Sequence, residues 1–145
     1  RKEGERAEGE EGPWKVLDGN FITVWALNVS HPASDVMAAP RALLSDGCFD
    51  VLVVRHPISR FALISIFSKI NDGTHVQDAR VEYYKARHVI WEPHSNEGLL
   101  ALDGELSSAG KGTTLPQVHR DKRLPLSHER MELVVRQGAL TILVP

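Results

Sequence analysis

Two carboxylates flank a glycine at Asp103-Gly104-Glu105, between the apolar run 99–102 and Leu106. In an extended strand, residues two apart point the same way, so Asp103 and Glu105 could offer oxygen donors side by side. Such a pair suits a hard cation such as magnesium, or the edge of a transferred phosphoryl group. Asp-Gly between apolar runs is equally the signature of a plain hairpin turn. Spacing alone leaves both readings open.

The other chemistry-bearing residues are more scattered. Seven histidines occur, His31, His56, His75, His88, His94, His119 and His128. No HExxH is present, and no cysteine pair completes a zinc set, so they read as surface or core histidines. His56 lies near Arg55 and Arg60, a basic corner that could touch an anion. No GxSxG elbow surrounds a serine, and Ser45-Asp46-Gly47 reads as a turn. Gly110-Lys111-Gly112-Thr113-Thr114 lacks Walker A order, because glycine rather than Ser or Thr follows the lysine. The single cysteine, Cys48, sits in an apolar stretch and reads as core. A lone cysteine forms no internal disulfide, which suits a reducing compartment.

These residues need a scaffold, and the hydrophobic pattern supplies one. Phe21 to Val29 is rich in β-branched and aromatic residues and predicts an inner strand buried on both faces. FDVLVVR (49–55) predicts another strand. Pro57-Ile58-Ser59 opens a helix with Ser59 as N-cap. Leu63, Ile66, Phe67 and Ile70 share one helical face, and Asn71-Asp72-Gly73 stops the helix. One or two strands follow between Arg80 and Glu92. A hairpin is expected around Asp103-Gly104, and a last hairpin from MELVV (131–135) and LTILV (140–144). The sum is a mainly β, β-sandwich-like domain with one amphipathic helix.

Composition sets the outer limits. The chain has 145 residues, of which 42% are hydrophobic and 25% charged, with a formal net charge of −2 and a pI near 6.4. That is one domain's worth of core, spanning residues 14–145, without the basic field a nucleic-acid partner needs. Residues 1–13 hold five glutamates and three basic residues but no large apolar one, and read as a flexible acidic tail or insertion. The apolar runs fall short of the ~20 residues a membrane-spanning helix needs. The chain opens on arginine, which suggests part of a longer protein.

Four blocks between Phe21 and Leu106 resemble the C-terminal domain of sphingosine kinases, within the diacylglycerol-kinase-like lipid kinases. They are Ser30-His31 through Ser34-Asp35 with Met37-Ala38-Ala39-Pro40; Ser45-Asp46-Gly47 with its strand; Ile58-Ser59-Arg60 with its helix and Gly73-Thr74-His75; and Leu102-Asp103-Gly104-Glu105-Leu106. Order and spacing agree with the family, and the likeness fades after Leu106.

The resemblance implies a lipid kinase that phosphorylates the primary hydroxyl of sphingosine or a related long-chain base, with ATP and Mg2+ as cofactors. Asp103, Gly104 and Glu105 would face the nucleotide, with Asp103 the implied metal ligand. Leu52, Leu63, Ile66, Phe67, Ile70 and His75 would line the lipid site, and helix movement would gate it. The family's Gly-Gly-Asp-Gly-Thr loop and its catalytic acid are not in this chain. No catalytic residue is therefore assigned here, the isolated piece is expected to be inactive, and an N-terminal catalytic domain becomes the expected partner. Family membership further implies a cytoplasmic protein with reversible peripheral membrane contact. A ceramide or diacylglycerol kinase, or a non-catalytic lipid-binding β-sandwich module, are the alternatives. Tyr83 and Tyr84 depart from the family's smaller aliphatic residues, predicting a shorter pocket or an added polar contact.

Overall fold

A computed structural model describes residues 14–94, 99–103, 105–109 and 130–138. The acidic segment 1–13, Gly104, the Gly110–Thr114 loop and the apolar run 140–144 lie outside them. The described architecture is mainly β and sandwich-like, with one α-helix.

Its centre is strand β2 (Phe49–Arg55), in which residues 50–54 are all buried. Valine and leucine at this density fit a strand covered on both faces. Strand β1 (Phe21–Leu27) and strand β3 (Val81–Ala86) pair antiparallel on either side of it, in the order β1-β2-β3. Among the described residues the strand expected to be an inner one at 21–29 has a partner on one side only, and it is two residues shorter at its end, with Ile22 41% exposed. Apolar alternation reports burial, not position within a sheet, and β1 gains its cover from side chains packed on its faces.

The two faces of β2 have different neighbours. Leu52 and Val54 join Ala39, Ile66 and Val81 in the main core, with Trp25, Leu27, Leu63, Val76 and Tyr83 packed around it. Val51 and Val53 are buried on the opposite face. A two-stranded ribbon of β4 (His88–Trp91) and β7 (Met131–Val134) meets the sheet where Trp91 tilts against Phe21, with ring centroids 6.3 Å apart. MELVV was expected to pair with 140–144; its described partner is β4. Strands β5 (Leu99–Leu102) and β6 (Glu105–Ala109) pair with each other.

The helix, α1, spans Arg60–Phe67. Ser59 caps it as expected, its hydroxyl accepting the Ala62 N–H at 3.2 Å. It ends three residues earlier than the pattern predicts. Lys69 and Ile70 donate to carbonyls three residues back, those of Ile66 and Phe67, tightening the chain into turns. The Ile70 carbonyl accepts the Met37 N–H at 2.9 Å instead of a helical donor. That tertiary bond satisfies a group a longer helix would have had to satisfy itself.

Candidate functional site

The Met37-Ala38-Ala39-Pro40 segment is where strand, helix and loop are locked together. Ala38 and Ala39 are fully buried. Ala39 N–H donates to the Ser30 carbonyl at 3.2 Å, and Met37 N–H holds the helix exit at Ile70. Gly73, with φ 74°, begins a short 3-10 helix, Thr74–Gln77. A β-carbon there would stand 2.8 Å from Met37 Sδ and 3.0 Å from Pro40 Cβ, so both the backbone angle and the space require glycine.

His75 completes this clasp. It is 2% exposed, and its Nε2 lies 3.1 Å from the Ala38 carbonyl oxygen. A carbonyl only accepts, so Nε2 carries the proton and Nδ1 is left as a lone pair. Nδ1 has no hydrogen-bond partner among the described residues. The expected lipid-facing histidine thus has a visible anchoring role.

The expected lipid-lining residues divide between core and surface. Leu52 and Ile66, 3% and 2% exposed, pack into the same core, with Leu63 against it. Each such side chain taken from water contributes about 2 kcal/mol. Phe67 is 37% exposed and tilts against Trp25 at 5.9 Å between centroids. Ile70 lies half-buried beyond the helix end. The outer surface of α1 carries large apolar side chains too, with Phe61 87% and Ile64 65% exposed. Sequence reading assigned no role to these two, although their spacing of three on one helix is a legible signal.

A polar cluster on the core face of the sheet was also missed. Asp50 is fully buried. Lys85 Nζ donates to Asp50 Oδ2 at 2.7 Å, Asp46 Oδ2 at 2.6 Å and the Arg41 carbonyl at 2.7 Å, which uses all three ammonium hydrogens. The Tyr83 hydroxyl donates to Asp50 and accepts the Arg41 N–H at 3.2 Å. Burial, reinforced by the bond to Asp50, pushes the Tyr83 hydroxyl well above its ordinary pKa. The hydrogen bond from Lys85 holds Asp46 below its ordinary value. Alternation at 81–86 puts Tyr83 and Lys85 on one face, but only the β2–β3 register sets Lys85 opposite Asp50.

On the opposite face, Arg55 donates to Glu82 and, at 2.8 Å, to the Asp18 carbonyl, while the Tyr84 hydroxyl donates to Glu82. Tyr83 and Tyr84 therefore supply added polar contacts. Arg55 is already engaged, which leaves Arg60 as the exposed guanidinium of the basic corner around His56.

The hairpin acids stand apart from all this. Leu102 pairs with Glu105 across the turn, and Asp103 sits at φ 49°. A two-residue hairpin of the tight twisted kind needs a positive φ there, and aspartate tolerates it better than most residues. Asp103 and Glu105 are both exposed, and Gly104 lies outside the described residues. Among the described residues no three His, Cys, Asp or Glu side chains gather as a metal centre. Asp103 stands on the turn at positive φ while Glu105 opens β6, so strand alternation does not set the two carboxylates side by side as the sequence suggested. A magnesium ion held by them would take most of its shell from phosphate oxygens and water.

Two surface hollows are formed nearby. One, of about 520 Å³, is lined by Lys69, Thr74, Gln77, Asp78 and Ala79. The other, of about 220 Å³, is lined by Arg55, Pro57, Ile58, Ala79, Arg80 and Glu82. Neither is lined by the hairpin acids or by the apolar stripe of α1.

Comparison with known proteins gives this arrangement a family. The model for the YegS C-terminal NAD kinase beta sandwich-like domain matches residues 11–122. Sphingosine kinase 1 of Arabidopsis thaliana is 31% identical over 149 aligned residues, covering 99% of this chain and 30% of the relative. Sphingosine kinase B of Dictyostelium discoideum is 39% identical over 63% of this chain and 12% of its own length. Sphingosine kinase 2 of Homo sapiens is 36% identical over 63% of this chain and 14% of its own. The chain thus spans about 30% of the length of the plant relatives it matches. On this match the chain belongs to the YegS C-terminal, NAD kinase β-sandwich-like domain family, and its relatives within it are sphingosine kinases.

Proposed function

We propose that this chain is the lipid-holding C-terminal part of an ATP-dependent lipid kinase, one that phosphorylates the primary hydroxyl of sphingosine or a related long-chain base. The observation that carries the reading is the likeness to a sphingosine kinase along 99% of the chain, through both the helix-on-sheet core and the acid hairpin.

The chain's own residues suggest a division of labour. The partly exposed Leu63, Phe67 and Ile70 would offer an alkyl chain a dry surface, backed from the core by the buried Leu52 and Ile66. Each methylene withdrawn from water contributes about 0.8 kcal/mol. His75 fixes the helix exit against the Ala38 carbonyl, setting the floor on which that surface rests. Asp103 and Glu105, exposed at the hairpin tip, reach outward toward a nucleotide bound chiefly by another domain. With ATP present they would hold Mg2+, and that ion would neutralise charge on the transferring phosphoryl group. The loop that cradles the phosphates and the catalytic acid belong to the N-terminal catalytic partner domain. The substrate is drawn from a membrane, so the protein works in the cytoplasm and visits the bilayer reversibly.

The test is a panel of sphingosine, ceramide and diacylglycerol offered with labelled ATP to the protein that carries this chain. Label in the long-chain base, with much less in the other two, is expected. Preference for ceramide or diacylglycerol overturns the substrate assignment. No label in any lipid, with lipid binding retained, identifies a non-catalytic module.

A further inference from the structure

The outer side of α1 carries two large apolar side chains that neither the core nor the proposed lipid site uses. At 3.6 residues per turn, Phe61 and Ile64 fall on the side away from Leu63 and Ile66. Their exposures of 87% and 65% contrast with 2% for Ile66. Arg60, Ser65 and Ser68 share that outer side, so it is a polar surface carrying two large exposed apolar side chains, the make-up of an interfacial helix.

The helix segment itself carries formal charge of one sign only. From His56 to Asn71 the chain contains no aspartate or glutamate, while His56, Arg60 and Lys69 are all exposed. Arg60 falls on the same outer arc as Ile64, and Lys69 lies just past the helix end. The acids near the helix exit have other direct partners, although Asp78 also feels the charge of Lys69, with which it lines one hollow. Asp78 is paired with Arg80 at 2.6 Å, and Asp72 Oδ1 accepts from the Thr74 N–H and hydroxyl at 2.9 and 2.6 Å. An exposed aromatic and an exposed isoleucine beside Arg60, with Lys69 just past the helix end, match an interface whose interior is hydrocarbon and whose surface is anionic.

We propose that the outer face of α1 is a membrane-docking surface, with Phe61 and Ile64 entering the acyl boundary of a bilayer and Arg60 and Lys69 meeting anionic head groups. This deepens the membrane contact of the proposed function by naming its site, and its test reads binding alone. The inner face of the same helix belongs to the core and the proposed alkyl-chain site. Docking by the outer face would set that site directly above the membrane from which a long-chain lipid must leave.

The experiment is co-sedimentation of the purified full protein with vesicles of phosphatidylcholine alone, or of phosphatidylcholine mixed with phosphatidylserine. The unaltered protein should prefer the mixed vesicles and lose that preference at high salt. Phe61→Ser with Ile64→Ser should lower the partition coefficient at least about tenfold. Arg60→Gln with Lys69→Gln should lower it by about five-fold per charge on the anionic vesicles only. Unchanged thermal unfolding of both variants shows that the fold is intact, as expected for exposed positions. The idea is overturned if the unaltered protein ignores anionic vesicles, or if the serine variant binds them as well as the parent. It is also overturned if that variant changes only the oligomeric state on gel filtration, which would assign the face to a second copy. Vesicle binding without phosphorylation of any lipid would instead defeat the kinase reading and leave the docking surface standing.

Discussion

The helix-on-sheet region and the β5–β6 hairpin are built on opposite principles. Around α1 and β2 almost every group has a second duty: His75 holds the Ala38 carbonyl, Met37 holds Ile70, and Lys85 holds Asp46, Asp50 and Arg41 together. At the hairpin tip, Asp103 on the turn and Glu105 at the start of β6 are exposed. The contrast teaches that the buried scaffold and the proposed phosphate chemistry are separated in space. Buried positions of the first region should lose stability when altered, and the hairpin acids should lose only what they do.

The largest test of that separation is Ile66→Ala. Ile66 is 2% exposed within the main core, and truncation there should cost about 3 kcal/mol, read as a drop in the urea midpoint with an unchanged slope. A loss below about 1 kcal/mol would mean that the core is loose enough to collapse around the gap.

Gly73→Ala comes next. The positive φ and the approach of Met37 and Pro40 should together cost about 2 kcal/mol. Near-neutral stability would show that the clasp yields, and would weaken the case that it fixes the helix exit.

Acid should act on the packed region first. Arg55 and Tyr84 hold Glu82 below its ordinary 4.5, Lys85 holds Asp46 below 3.8, and Arg80 holds Asp78 below 3.8. Carboxylates depressed in the folded state contribute fully above their ordinary values, and that contribution is lost as pH falls through the depressed ones. The urea midpoint should therefore stay level from neutral pH down to about 5 and decline below about 4.5. A midpoint that rises on acidification would mean that the ion pairs do not stabilise the fold.

The smallest effect on stability is expected at the hairpin. Glu105→Ala should shift unfolding by less than about 0.5 kcal/mol. A shift as large as that of Gly73→Ala would erase the contrast, because the turn would then be part of the scaffold.

How much of this could be read from the letters differs between the two regions. FDVLVVR delimited β2 to the residue, and Ser59 marked the helix start, because burial on both faces and N-capping leave local signatures. Asp103-Gly104 likewise announced its own turn. The end of α1 was not legible, since the Ile70 carbonyl is satisfied by Met37, far away in sequence. The pairing of β1 among the described residues was hidden for a similar reason: alternation says which side chains are covered and not what pairs with the backbone. The Asp50–Tyr83–Lys85 cluster depends on register between two strands, which no single segment encodes. The candidate site was half legible, its acids by motif and its apolar stripe by periodicity, while the anchoring of His75 required the fold.

The most direct measurement is turnover of sphingosine with labelled ATP by the protein that carries this chain, comparing the parent with Glu105→Ala at matched thermal stability. A fall of about tenfold or more, with the melting temperature unmoved, is what a phosphate-facing hairpin on an independent scaffold predicts. Equal turnover in the two proteins would contradict it.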